Sequence, residues 1–410
     1  MRLKNIFPDY LIRYFFLLVL IILPPPLFSS ESNIYKLSGR VTDTLGVPME
    51  DLQLILFSTP GSFPDSDADT FNLTTGGEFS FTLLKDSSYI LQIKGDQGYG
   101  RVVIPPGKPK GIQKERIDIT YPVTEKIVIL HTNDQHFTMN NHRELHRKIT
   151  EIREKYDDVF LFNAGDIFVR HPLRWIVNGR LMGEDWYGER SMSMISSMND
   201  MGYDLMTPGN HELSYRVPDT RLALESACFP LLAANIEITT DNLPPMDDYK
   251  IFNTSTMRQI AVLGLTTGIS QGVRELGLSE TVNEFLFLRD SAEIFMALTH
   301  LGLRRDRSLA EEFPEFDVII GGHSHDLLRE GEIVNSVLIA QAGGNPHIVL
   351  DSHPVFLGKI IISLENGVIT GKQGKILEIK SGESAETEDD VAGKADGKTI
   401  FRNRFSILTE

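Results

Sequence analysis

The segment DVIIGGHSH, residues 317–325, runs from aliphatic residues into two glycines and then into His323 and His325, one residue apart. A buried imidazole needs a partner for each ring nitrogen, so two of them at the end of an apolar strand point to a hydrogen-bond network or to a metal. The same residue types recur where other apolar runs stop: Asp134 and His136 in HTNDQH, Asp166 in NAGD, Asn210 and His211 in GNHE, and His300 in ALTHLGL, which reads as the end of a helix-like stretch. All are His, Asp or Asn, a donor set that suits Mn, Fe, Zn, Mg or Ni better than a soft-metal cluster. Taken singly, each has an ordinary explanation as a solvated or hydrogen-bonded group. Five such segments in one order do not, because buried carboxylates without matching cations are costly and ions from solution would remove that cost.

Other stretches carry less. HRELH places His142 and His146 four residues apart on a helix, but without the Glu that follows the first His in zinc peptidases, so a solvated face is the expectation. Arg180, Trp186, Tyr187 and Arg190 in NGRLMGEDWYGER could contact a substrate or pack in the core, and His171 follows Asp166 closely enough to approach a phosphate. No GxxxxGK phosphate loop is present, so ATP-driven chemistry has no support. The one cysteine, Cys228, excludes an intrachain disulfide and a cysteine metal site, and its apolar surroundings read as a buried position.

The elements that must position these residues show in the pattern of the chain. Its 410 residues suffice for two or three domains, and 41% hydrophobic with 23% charged residues is an ordinary globular composition. A formal charge of -16 argues against stable nucleic-acid binding. Residues 1–29 combine Arg2, Lys4 and Arg13 with the apolar run YFFLLVLIIL, too short for the roughly 20 residues that span a bilayer, which predicts a signal peptide and export, with an uncleaved N-terminal anchor as the alternative. Residues 33–120 alternate apolar and polar positions in short runs separated by turns, an all-β pattern. Over 125–375 the rhythm becomes strands alternating with helices: KIVILHTND, DVFLFNAGD, DLMTPGNHE, FPLLAANI, IAVLGLTT, DVIIGGHSH, SVLIAQAGG and LGKIIISLENG read as strands, and RELHRKITEIREKYDD and SMSMISSMNDMG as helices. That order predicts an α/β layered domain with its chemistry at strand ends. Residues 381–410 are small and acidic and read as a disordered tail.

The motifs ILHTNDQH, NAGD, GNHE, LTHLGLRRDRSLAEEFPEFDVIIGGHSH and VLIAQAGG, in that order, resemble the catalytic domain of 5'-nucleotidase-like calcineurin-type metallophosphoesterases, and residues 33–120 resemble a carboxypeptidase-regulatory-like β-sandwich. The first resemblance implies a four-layer αββα sandwich binding two divalent ions (Mn, Zn, Fe or Mg). One would be held by Asp134, His136, Asp166 and His325, and the other by Asp166, Asn210, His300 and His323, with Asp166 shared. It implies hydrolysis of phosphate esters, nucleotides among them, by attack of a metal-bridging hydroxide. Asn210 would limit the negative charge facing the substrate, and His211 would act as stabiliser or acid near the leaving group.

Two departures stand out. Family nucleotidases usually read GNHEFD where this chain reads GNHELSY, which puts Ser214 in place of the Asp that orients the catalytic His. The C-terminal domain that binds the nucleobase in that family has no counterpart in the roughly 40 residues after the last expected strand. The rival readings are therefore a hydrolase of a sulfur ester, and a surface protein of weakened activity whose β-sandwich engages a matrix or partner.

Overall fold

The structure, a computed structural model, describes residues 34–380 apart from 51, 60–68, 74–75, 85, 96–97, 107–113, 140, 170–174, 178–179, 183, 215–217, 269, 271 and 346–354. The expected signal segment 1–29, the acidic tail 381–410 and His171 lie outside the described residues. Among the described residues no helix is long and apolar enough to cross a membrane.

The N-terminal part is all strand: β1 (Ile34–Thr42), β2 (Gln53–Thr59), β3 (Asp69–Asn72), β4 (Glu78–Leu84), β5 (Ser88–Gly95), β6 (Gly98–Ile104) and β7 (Lys114–Thr120). They form sheets of order β4-β1-β7 and β3-β2-β5-β6. The alternation in EFSFTLL turns Phe79, Phe81 and Leu83 inward, where they meet Leu37, Leu54 and Leu91 in one core. The short strand β3 and the charged strand β7, KERIDIT, carry little apolar signal, and the sequence pattern does not mark them.

Two further sheets make the larger part. The first has the order β12-β9-β8-β21-β22, built from β8 (Thr124–Thr132), β9 (Asp158–Asn163), β12 (Leu205–Met206), β21 (Val355–Glu365) and β22 (Val368–Ile379). The second runs β14-β15-β17-β18-β20-β19, from β14 (Tyr249–Asn253), β15 (Gln259–Thr266), β17 (Ile294–His300), β18 (Val318–Ile320), β19 (Glu332–Val334) and β20 (Val337–Ala340). Two hairpin-like pairs stand apart, β10 (Trp175–Val177) with β11 (Arg180–Met182), and β13 (Ile236–Ile238) with β16 (Val273–Glu275).

The inner faces of the two sheets share a core of Ile127, Ile129, Phe162, Val262, Met296 and Ile360. Helices cover the outer faces: α1 (His142–Arg153), α2 (Glu184–Met201), the short α3 (Asn210–Ser214) and α4 (Pro218–Glu225) on one side, and α5 (Leu278–Phe285), α6 (Phe287–Ser291) and α7 (Leu303–Glu312) on the other. This is the four-layer αββα arrangement. The strands β8 and β9 are parallel, as are β15, β17, β18 and β20. Their C-terminal ends therefore gather the residues singled out above.

Three expectations need correction. His300 closes strand β17, not a helix: IFMALTH is buried at every position, as a central parallel strand covered on both faces must be, and such a run has no period that separates it from a buried helix. FPLLAANI forms isolated bridges, Met206 to Leu231 and Leu232 to Asp247, and only its last residue, Ile236, enters a strand, β13. Cys228 is exposed, while its neighbour Phe229 takes the buried position.

Helix α1 shows how the layers attach. Leu145, Ile149 and Ile152 recur at helical spacing and are buried, a gain of roughly 1.5–3 kcal/mol each, while the charged residues between them face water. Arg153, in its last turn, donates to the carbonyls of Met201 (2.7 Å) and Gly202 (2.6 Å) and so satisfies the end of α2. The solvated face expected for HRELH holds only for the exposed His146. His142 is buried between the two helices, its Nδ1 2.7 Å from Ser197 Oγ.

Burial, with Arg190 as the second cause, pushes the His142 imidazole down to about 4. The unfolded chain therefore binds a proton that the native state refuses, and stability falls as pH drops from about 6.5 toward 4. At pH 5 this costs about 2 kcal/mol relative to pH 7. His142→Gln keeps a polar partner for Ser197 without titrating. Denaturant unfolding at pH 7 and pH 5 should show a smaller pH-dependent loss for the variant, and an equal loss in both proteins would disprove the assignment.

Candidate metal centre

The strand ends deliver their side chains to one place. Asp134 and His136 follow β8, Asp166 follows β9, His300 ends β17, His323 and His325 follow β18, and Asn210 with His211 opens α3. Three groups of potential ligand atoms result, each within 4.8 Å of one another: Asp134 with His136 and His325, Asp166 with His300 and His323, and His136 with Asp166 and His211. The first brings together three residues of the one expected set, and the second three residues of the other. The third adds His211, which had been expected to bind no ion. Asn210 stands beside the second group, its Oδ1 2.8 Å from His323 Nδ1.

Hydrogen bonds aim the imidazoles. A carbonyl can only accept, so Nδ1 of His136 and Nδ1 of His211 both donate to the Phe168 carbonyl, at 2.9 and 3.2 Å, and each ring turns its Nε2 inward. His136 Nε2 then lies 3.1 Å from His325 Nε2, and His325 Nε2 is 3.3 Å from Asp134 Oδ1. His300 Nδ1 donates to Ala164 O at 2.6 Å, which leaves its fully buried Nε2 without a hydrogen-bond donor and 3.1 Å from Asp166 Oδ2. A lone pair facing a carboxylate oxygen at that distance is repulsive, so the contact calls for positive charge between them, from a second ring proton or from a cation.

The same demand shows in the proton affinities. Burial alone would lower His300, but the charge and hydrogen bond of Asp166 outweigh it and raise the imidazole to about 10. For Asp166, burial raises the carboxyl, yet His300 and then His211 hold it well below the usual carboxylate range. Burial takes His136 down to about 4, so it is neutral and able to ligate at neutral pH. Imidazoles, carboxylates and an amide oxygen aimed at one another, with a buried His300–Asp166 contact that calls for positive charge, fit divalent cations.

The backbone bends to achieve this. Five of the seven candidate ligands have positive φ: Asp134 (50°), His136 (45°), Asp166 (54°), His323 (77°) and His325 (58°). Left-handed conformations in side-chain-bearing residues persist only where surroundings enforce them, and they cluster at functional sites. Glycines make room: a Cβ on Gly209 would lie 2.2 Å from Asp166 Oδ1, and one on Gly344 2.6 Å from the His325 ring.

The loops are held by Glu212, whose direction the sequence leaves open. It is fully buried, and its carboxyl accepts from the backbone N–H of Asp166 (2.9 Å), Phe168 (2.9 Å) and Gly209 (2.8 Å). Burial, and next the charge of Asp166, push it up to about 7. Of the DWYGER residues, Tyr187 donates to Val169 O at 2.9 Å, Trp186 packs edge-on against Phe137, and Arg190 donates to Phe137 O at 2.7 Å. These three are packing residues that fix the loop after His136. The side chains of Arg180 and Ser214 lie outside the described residues.

A layered αββα sandwich with paired His and Asp donors at one edge defines a class, and residues 127–327 match the calcineurin-like phosphoesterase family. The chain carries a calcineurin-like metallophosphoesterase domain with 5'-nucleotidase homologues. It is similar to the trifunctional nucleotide phosphoesterase protein YfkN of Bacillus subtilis, 26% identical over 66% of this chain and 20% of that one. It is also similar to a 5'-nucleotidase of Vibrio cholerae, 27% identical over 50% of this chain and 41% of the relative. The chain thus spans less than half the length of either. A putative 5'-nucleotidase from Staphylococcus aureus has the same fold, with a TM-score of 0.50 at 18% identity over 65% of this chain and 56% of that one.

Replacing Glu212 by Ala strands three buried N–H groups at once. With about 1–3 kcal/mol for each lost partner, Glu212→Ala should lower unfolding free energy by at least about 3 kcal/mol in denaturant titration. An unchanged midpoint would mean these bonds do not hold the loops.

Proposed function

We propose that this protein is an exported, metal-dependent phosphoesterase of the 5'-nucleotidase type, with residues 33–120 as a β module and 125–375 as the catalytic domain. The observation that carries the reading is the convergence of Asp134, His136, Asp166, His300, His323 and His325 into two adjoining donor groups. Asp134, His136 and His325 would hold one divalent ion, and His300, His323 and Asn210 the other. Asp166 lies against both sets and would be shared. When bound, such a pair supplies positive charge that acidifies water and stabilises charge building on a phosphoryl group.

The remaining chemistry belongs to the chain. Asn210 presents a neutral oxygen beside His323, so it adds a donor without adding to the negative field that a phosphate must enter. His211 is oriented from two sides: its backbone N–H donates to Asp166 Oδ1 at 2.9 Å, and its Nδ1 is committed to the Phe168 carbonyl. A second proton on this ring therefore resides on Nε2, 3.8 Å from Asp166 Oδ2 and on the inner side of the ring. From there it can pass to the departing alkoxide as the P–O bond breaks, while water supplies the oxygen that joins phosphorus. Export is supported by the apolar N-terminal run after Arg2, Lys4 and Arg13.

Two measurements test this. Protein reconstituted with Mn, Zn or Fe should bind two ions per chain and hydrolyse p-nitrophenyl phosphate and nucleoside 5'-monophosphates; two bound ions with no turnover on these, on phosphodiesters or on sulfur esters would favour a binding role. His211→Ala should lower kcat on a nucleotide, whose alkoxide needs a proton, by about 10²–10⁴-fold, and far less on p-nitrophenyl phosphate. Equal losses on both substrates would remove His211 as the proton donor.

A further inference from the structure

Behind the metal centre, on the helix-covered side of the second sheet, lies a carboxylate that none of the chemistry above uses. Asp306 sits in the first turn of α7 and is fully buried. Its Oδ1 accepts from Thr299 Oγ1 at 2.6 Å, and its Oδ2 accepts from Gln341 Nε2 at 2.9 Å. Both donors are neutral, and among the described residues Asp306 makes no ion pair with Lys or Arg within 4 Å. A buried carboxylate with so little compensation is expensive to keep. An ordinary helix-packing position would hold an apolar residue.

What it touches explains its presence. Thr299 immediately precedes His300 on β17, and successive strand residues face opposite sides, so Asp306 grips the strand from behind while His300 faces the site. Gly321 lies flush against the carboxylate: a Cβ there would come within 2.1 Å of Asp306 Oδ2. The chain reaches His323 two residues later. Gln341 completes the frame, because its Oε1 accepts from Ser324 Oγ at 3.2 Å, and Ser324 Oγ in turn accepts from Leu303 N at 3.0 Å. Asp306 thus joins β17, the loop after β18, the exit of β20 and α7 through bonds that need an acceptor on both of its oxygens.

These bonds reach one half of the donor set. His300 and His323 both belong to the group built on Asp166. Asp134, His136 and His325 have further anchors of their own: Asp134 N donates to Gly165 O at 2.8 Å, His136 bonds to Phe168 O, and the far side of the His325 loop is pinned by Gly343 N to Asp326 O at 2.9 Å. The two halves still meet where His323 N donates to Asp134 Oδ2 at 2.9 Å. We propose that Asp306 is a positioning residue that, through Thr299 and Gln341, presets His300 and His323 and thereby sets the affinity of the second ion more than that of the first. This rests on the two-ion reading above and deepens it.

The test is titration of metal-free protein with Mn(II) alone, followed by calorimetry for stoichiometry and affinity and by electron paramagnetic resonance for the coupled pair. Asp306→Asn turns an amide NH₂ toward the NH₂ of Gln341. It should weaken the second ion about 10- to 100-fold, the range for outer partners of metal ligands, change the first far less and suppress the coupled signal. The double variant Asp306→Asn, Gln341→Glu reverses donor and acceptor at unchanged net charge and should restore the second ion.

Wild-type protein that takes up no Mn(II) would sink the two-ion reading itself. Wild-type protein binding two ions, with Asp306→Asn binding both equally well or losing both in parallel, would overturn only the role given to Asp306, as would a double variant that shows no rescue. If Asp306→Asn does not fold, Thr299→Val removes a single donor and faces the same criterion.

Discussion

Asp134 and Asp166 are almost wholly buried, and among the described residues neither forms an ion pair with Lys or Arg within 4 Å. Two carboxylates in a dry place, surrounded by imidazoles that point ring nitrogens at one another, form an arrangement that is unfavourable in isolation. Nearly every irregular feature of the domain serves to hold it together. The proton affinity of His300 rises and that of Asp166 falls because each is the nearest available remedy for the other. A bound cation would answer the same need more completely, and its uptake would then be coupled to the stability of the strand ends.

The cost appears in the backbone. Left-handed Asp134, His136, Asp166, His323 and His325 cannot be held by their own loops, so rigid neighbours must over-determine them. Two buried carboxylates do so from different sides. Glu212 draws the Asp166 and Gly209 turns together by accepting three backbone N–H groups, and Asp306 ties the ends of β17 and β18 to α7. Each is an anion beside an anionic site. Loading the centre with cations would therefore relieve the holders as well as the ligands.

How much of this shows in the sequence follows from what sequence patterns record. Strand ends carrying Asp, His and Asn are visible because the apolar run before each stops abruptly, and an α/β layered domain follows from the strand and helix order, while the four-layer αββα form comes from the family resemblance. The helical reading of His300 fails for the reason that makes the position useful: a central strand buried on both faces shows no alternation. Cys228 and His142 exchange their expected environments because one residue of register on a loop or helix decides burial, and composition alone does not fix that register. Glu212 and Asp306 are harder still. Their partners are backbone N–H groups and side chains tens of residues away, and a carboxylate chosen for its two acceptors looks in sequence like any solvated acid.

The N-terminal sheets stand away from the site. They dock where β15 and β17 begin: Arg258, fully buried, bonds to Glu125 at 2.7 Å and to the Tyr99 carbonyl at 2.7 Å, and the guanidinium groups of Arg258 and Arg101 both lie over the Tyr99 ring. Arg101 also reaches Met257 O at 2.8 Å, and Tyr99 donates to Glu293 at 3.0 Å. The donors gather where those same strands end, and β15 alone spans about 25 Å at 3.3 Å per residue. A charge network at one pole cannot touch the donors at the other. Beside those donors lie the loops at Asn210 and His323 and the turn at Thr267 that Arg305 holds through its hydroxyl at 3.2 Å. Arg305 is itself neutralised by Glu275 at 2.6 Å. A pair of cations at the donor groups would supply positive charge there on a chain of net negative charge.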